Sequence, residues 1–226
     1  MITLFHRPKT RSSRFIFLLE ELEAPYQIKL VTTRTRDGTG AVNPANPHPH
    51  GKVPTISDDG AIVFESPAIA LYLTDKFPKN RLGPLVGERD RAAYLSWLCY
   101  YTGVLEPAFM SKFMNVEVPR GTAGWVPVEE AMPVISKALS PGPYILGERF
   151  SAADVLYGTT FAMFGKSPMM PKSTVIDDTY SGSSRGQLLS ERRRRTTADE
   201  RESFGSARLL SSQTAATGKT QGTGTR

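Results

Sequence analysis

The sequence predicts an α/β domain over residues 1–80, an all-α domain over residues 85–178, and a low-complexity basic tail over residues 179–226. Three observations carry this. In the first 78 residues, short β-prone runs alternate with apolar-periodic ones in the order β, α, β, connection, β-hairpin, α. From Pro84 to about Asp178 strand signal is almost absent and helical spacing dominates. After residue 178 the composition changes: Ser, Thr, Gly and Gln fill 25 of 48 positions. Such a segment buries too little apolar area to offset the entropy of ordering it, so it is expected to be disordered.

Taking the elements in order, residues 2–5 (ITLF) read as a strand stopped by Arg7-Pro8. Residues 12–22 (SRFIFLLEEL after Ser12) place Phe15, Leu18, Leu19 and Leu22 at helical spacing, and Glu23-Ala24-Pro25 ends the run. Residues 26–31 (YQIKLV) alternate as a strand does, and residues 34–51, rich in Gly, Pro and Asn, form an irregular connection. VPTIS and AIVF flank Asp58-Asp59-Gly60, a hairpin signal. Ser66-Pro67 before AIALYLTDKF reads as an N-cap serine, a proline at the first helical position and a helix. In the second half, residues 88–102 form a helix with acids in its first turn, and residues 128–139 another, interrupted or bent near Pro133. Residues 151–164 open with Ser151 and Asp154, a capping box with Asp in place of Glu, with Phe150 and Val155 at the staple positions.

The chain has 226 residues and a formal net charge of +6, which by itself suggests nucleic acid or another anionic partner. The charge is not evenly spread. Residues 1–178 carry 19 Lys and Arg against 18 Asp and Glu, whereas residues 179–226 carry nine against four, with a cluster at residues 192–195. The predicted body is therefore nearly neutral, and no sequence-specific nucleic-acid binding is expected. One cysteine, Cys99, excludes an internal disulfide framework and a multi-cysteine zinc site. Apolar runs such as residues 15–19 are too short to cross a bilayer and no signal peptide opens the chain, so a cytoplasmic protein is expected.

Three stretches carry a resemblance to a known family: FHRPKTRSSRFIFLLEEL at residues 5–22, GKVPTISDDGAIVFESPAIALYL at 51–73 and PYILGERFSAADVLYG at 143–158. Together they resemble the cytosolic glutathione S-transferases, the bacterial-type members above all. The resemblance implies a thioredoxin-like N-terminal domain and an all-α C-terminal domain. It also implies glutathione as co-substrate with no metal, a small apolar electrophile as second substrate, and a homodimer. The alternative is a non-catalytic relative that keeps the fold as an interaction or assembly module.

The resemblance assigns roles to particular residues. Val53-Pro54 matches the family's cis-proline turn, which presents backbone to the cysteinyl part of glutathione. Ser66, at a helix start where free N–H groups and the dipole favour an anion, would bind the γ-glutamyl carboxylate, with Glu65 facing the α-amino group or positioning the loop. His50 and Lys52 would meet the glycine carboxylate. The loop KTRSSR at residues 9–14 must stabilise the thiolate; it holds neither Tyr nor Cys, and the candidates are Ser12 first, then Thr10 and Ser13, with Arg11 raising the local positive potential. Ser12 or Ser13 would alternatively only cap the following helix. His48 and His50 lack companion ligands for a metal. Trp97, Tyr100, Tyr101, Phe109, Met110 and Phe113 are candidates for the core or for an apolar second-substrate pocket.

Overall fold

A computed structural model describes residues 1–35, 37–164, 167 and 171–182. The disorder expected of the tail concerns residues 179–226, all but four of which lie outside the described residues.

Four strands form one sheet in the order β2-β1-β3-β4: β1 (Ile2–His6), β2 (Tyr26–Leu30), β3 (Thr55–Asp58) and β4 (Ala61–Phe64). β1 pairs parallel with β2, Leu4 opposite Ile28, and antiparallel with β3, Leu4 opposite Ile56. The parallel pair requires a crossover, and α1 (Ser13–Glu21) supplies it. The β3–β4 hairpin turns on Asp59 and Gly60, both at positive φ (47° and 95°), as the tight two-residue loop demands. α2 (Ser66–Lys76) packs back through Ile69, Ala70 and Leu73, each fully buried. It begins one residue earlier than the sequence suggests: Ser66 is its first residue, and the capping position is Glu65 at φ 70°. This is a mixed sheet with helices, as the thioredoxin-like expectation requires.

The second half is helical. α3 (Arg91–Tyr100) runs through a single π turn (Tyr101–Leu105) into α4 (Glu106–Met114), followed by α5 (Val128–Ala138), α6 (Ala152–Phe164) and a short α7 (Thr174–Asp177) continuing as a π turn to Gly182. α4 is absent from the sequence-based reading; Pro107 sits in its first turn, directly after the π turn Tyr101–Leu105. Pro133 does not interrupt α5, which is one helix. No helix among the described residues is long and apolar enough to cross a membrane.

Burial explains why periodicity was readable in some helices and not in others. Phe15, Leu18, Leu19 and Leu22 are buried as their spacing predicts, but so are Arg14, Ile16 and Phe17, because α6 covers the face of α1 that the sheet leaves open. α6 itself is buried at every residue from Ala152 to Gly158, so it shows no polar stripe. At its start, the Asp154 carboxylate accepts from the Ser151 N–H (2.9 Å), the Ser151 hydroxyl (3.0 Å) and the Ile145 N–H (2.8 Å). Tyr180, placed by sequence in the tail, is buried against Phe161, with ring centroids 5.5 Å apart, and donates to Asp154 Oδ1 at 3.2 Å. Ordered packing therefore extends two residues past the composition change.

Candidate active site

A cavity of about 1030 Å³ opens between the sheet's loops and the helical domain. The loop after β1 contributes Lys9, Thr10 and Arg11; the connection after β2 contributes Thr33, Arg34 and residues 48–53; α4 and α6 contribute Glu106, Thr160 and Phe164. Five Lys or Arg side chains on this wall (residues 9, 11, 14, 34 and 52) face one carboxylate, Glu106. That imbalance suits an anionic ligand. A smaller apolar recess of about 200 Å³ adjoins it, lined by Phe109, Met110, Phe113 and Phe164. Arg11, Glu106, Thr160 and Phe164 belong to both walls, so the two spaces are continuous.

The connection's inner turn is held by local hydrogen bonds. Asn46 donates through Nδ2 to the Lys52 carbonyl (2.9 Å) and accepts from the His48 N–H through Oδ1 (3.2 Å). His48 Nδ1 accepts from the His50 N–H at 3.0 Å, and its ring lies against Phe64 with centroids 5.3 Å apart. Burial lowers the His48 pKa below its ordinary value, consistent with that accepting nitrogen. Gly51 sits at φ 60°, and a Cβ there would meet Val42 Cγ1 at 2.2 Å, so this turn admits only glycine. The next peptide but one, Val53-Pro54, is cis. His48 thus acts as a turn staple, and no cluster of three metal-ligating side chains occurs among the described residues.

The structure divides the sequence-predicted residues. Thr10, Arg11, His50, Lys52 and Val53 line the cavity. Pro54 and Ser66 are buried nearby, Glu65 is exposed at the start of α2, and none of the three is part of the lining. Ser13 begins α1 and is likewise outside the wall. Ser12, the first candidate for meeting the thiol, is fully buried. Its hydroxyl lies 2.8 Å from His6 Nδ1 and 2.8 Å from Thr10 Oγ1, and it accepts from the Arg7 N–H at 3.2 Å. Nor does it cap α1, for no side-chain cap bond is made there. The loop turns at Lys9, φ 59°, so that Thr10 faces the cavity and Ser12 the interior.

Sequence reasoning missed a polar cluster at the boundary between the two spaces. Arg14 is 4% exposed and donates from Nη1 to the Tyr101 hydroxyl at 2.7 Å, with its guanidinium carbon 5.2 Å from that ring's centroid. Tyr101 donates in turn to Glu106 Oε1 at 2.7 Å, and the Thr160 hydroxyl lies 2.6 Å away. Burial pushes the Tyr101 pKa up, so the phenol stays protonated as a donor. A charged residue inside an apolar helical run was the available signal for Arg14. Nothing local marked Glu106.

Residues 11–76 match the glutathione S-transferase N-terminal domain. Over 172 residues the chain is 42% identical to glutathione S-transferase 3 of Schizosaccharomyces pombe, across 68% of this chain and 70% of that protein. The chain belongs to the glutathione S-transferase family. Another relative of this transferase is the disulfide-bond oxidoreductase YfcG of Escherichia coli, 30% identical over 169 residues, covering 69% of this chain and 76% of that one. Among solved structures, a sphingomonad glutathione S-transferase complexed with glutathione is 27% identical with a TM-score of 0.55, covering 71% of this transferase and 81% of that chain.

Proposed function

We propose that this transferase binds glutathione in the larger cavity, stabilises its thiolate at Thr10, and conjugates it to a small apolar electrophile held in the adjoining recess. The observation that carries the reading is the continuity of a cation-lined cavity beside the cis Val53-Pro54 turn with a recess walled by Phe109, Met110, Phe113 and Phe164. Glutathione has two carboxylates and, once ionised, a thiolate; by family resemblance Lys52 and His50, both on the cavity wall, would meet the glycine carboxylate, and Arg11 would favour the thiolate. Ser66 and Glu65 remain candidates for the γ-glutamyl end, at a helix start whose free N–H groups favour a carboxylate.

Of the three hydroxyls in the loop, Thr10 is the one on the wall. Its proton goes to the Arg7 carbonyl at 2.6 Å, and turning it to the sulfur would exchange a neutral acceptor for a charged one. The thiol proton leaves to solvent. The sulfur lone pair then forms the S–C bond while the leaving group departs with the electron pair of the bond it loses. Cys99 is exposed on α3 and outside the cavity wall, so the reacting sulfur is that of glutathione. Family resemblance adds a cytoplasmic homodimer as the working form.

The test is retention on immobilised glutathione followed by turnover of an aryl halide with glutathione. Both are expected, with the rate falling at least roughly tenfold in Thr10→Ala, the loss of one charge-assisted hydrogen bond. Binding without turnover of any electrophile would instead favour the non-catalytic module.

A further inference from the structure

The loop after β1 holds a hydrogen-bonded line that starts in the core and ends on the cavity wall. His6, fully buried at the end of β1, lies 2.8 Å from Ser12 Oγ through Nδ1. Ser12 Oγ lies 2.8 Å from Thr10 Oγ1, and Thr10 lines the cavity. Ser12 cannot touch a ligand, yet it is not a cap and its hydroxyl has no outlet except this line and the Arg7 backbone. Two hydroxyls and an imidazole in a low-dielectric interior polarise one another, so the orientation of the last hydroxyl depends on the first donor.

We propose that His6 and Ser12 are positioning residues that orient and polarise the Thr10 hydroxyl toward the glutathione sulfur. With its proton on Nδ1, His6 donates to Ser12 Oγ and Ser12 donates to Thr10 Oγ1, so that Thr10 keeps its own proton, held by the Arg7 carbonyl at 2.6 Å, to turn toward a thiolate in the cavity. The Ser12 N–H already points at Thr10 Oγ1, at 3.3 Å, and fills a second acceptor position. Both of the Thr10 lone pairs are then occupied, and the thiolate is the strongest acceptor within reach of its proton. No proton is transferred along the line; it acts by direction and polarity. This inference rests on the proposed glutathione reading of the cavity.

The experiment follows the ultraviolet absorbance of the bound thiolate against pH in the intact protein and in Ser12→Ala, His6→Asn and His6→Gln. Asn keeps a polar atom where Nδ1 stood, whereas Gln moves it to the Nε2 position. The surrounding groups at Lys9, Arg11, Arg14, Arg34, His48, His50, Lys52 and Glu106 are the same in every variant, so a shift reports the line alone. Ser12→Ala and His6→Gln are expected to raise the pH of half-ionisation by about one unit and lower kcat roughly tenfold, with glutathione affinity within about twofold, the scale of one hydrogen bond. His6→Asn is expected to restore both. A Ser12→Ala protein that ionises bound glutathione at the parental pH, or Asn and Gln variants that behave alike, overturns the positioning role. If the intact protein takes up no glutathione, the reading of the cavity fails with it; normal uptake and ionisation with unshifted variants fails the positioning role alone.

Discussion

Arg11 Nε lies 2.6 Å from Glu106 Oε1, joining the loop after β1 to α4 at the boundary shared by the cavity and the apolar recess. The same carboxylate oxygen accepts from the Tyr101 hydroxyl, and Arg14 Nη1 stands 3.9 Å away. Glu106 therefore does two things: it balances two cations, Arg11 half exposed and Arg14 buried, and it accepts from a buried phenol.

These two roles separate by substitution. Glu106→Gln keeps an acceptor for Tyr101 and loses the charge that faces both half-exposed Arg11 and buried Arg14, and the expected cost is about 1–3 kcal/mol. Glu106→Ala also strands the Tyr101 hydroxyl and should cost about 1–3 kcal/mol more. Urea unfolding of the two variants checks this; equal midpoints would mean that Tyr101 does not depend on Glu106.

Tyr180 tests whether the fold includes residues past the composition change. Tyr180→Phe removes one hydrogen bond to Asp154 but keeps the ring against Phe161, and is expected to cost about 1 kcal/mol. A chain ending at residue 178 loses the ring as well and should be about 3 kcal/mol or more less stable than one ending at residue 182, by the usual cost of deleting a buried aromatic. Matched thermal melts of the two shortened chains decide it.

Asp154 should leave a mark on the pH dependence of stability. Burial pushes its carboxyl up to about 6 from an ordinary 3.8, against the four hydrogen bonds that favour the ionised form. The folded state thus holds a proton that the unfolded chain has released. The resulting stabilisation is complete below about pH 3.8 and is lost as pH rises through about 6, by up to about 1.4 kcal/mol per unit at its steepest. Asp154→Asn cannot titrate, so its deficit relative to the parent should be larger at pH 4 than at pH 7. Unfolding free energies measured at both values check the sign, and a deficit independent of pH would contradict it.

Substrate kinetics should separate the two spaces. Lys52→Met is expected to raise the KM for glutathione roughly threefold to tenfold, the range for a partly exposed charged contact, and leave that for an apolar electrophile unchanged. Phe109→Ala, which removes the ring stacked on Phe164 with centroids 6.4 Å apart, should do the reverse. Initial rates with each substrate varied in turn provide the comparison, and a Phe109→Ala effect confined to glutathione would misplace the recess.

Much of the fold around the cavity was legible because it is written in short motifs. The Asp59-Gly60 turn, the Val53-Pro54 bond and the Ser151–Asp154 pair each involve residues no more than three apart; the first two take the expected form, and in the third Asp154 accepts from the Ser151 N–H while the Ser151 hydroxyl donates to the same carboxylate. The choice among Thr10, Ser12 and Ser13 was not legible. Adjacent hydroxyls have equal propensity, and the one that faces the cavity is set by the turn at Lys9 and by His6, which waits in the core to bond the next.

The sequence by itself determined the order of elements in the first 78 residues, the buried positions Phe15, Leu18, Leu19 and Leu22 of α1, and the family, since these follow from periodicities of a few residues and from motifs of unbroken chain. It also showed that the net charge belongs mostly to residues 179–226 and not to the body. Only the tertiary structure decided that Arg14 is interior, that Glu106 borders both spaces, and that Tyr180 closes over Asp154. Those outcomes depend on partners far along the chain, such as Arg14 and Thr160, 146 positions apart. The physical reason is burial: a side chain's fate depends on what covers its element, and for α1 that cover is α6.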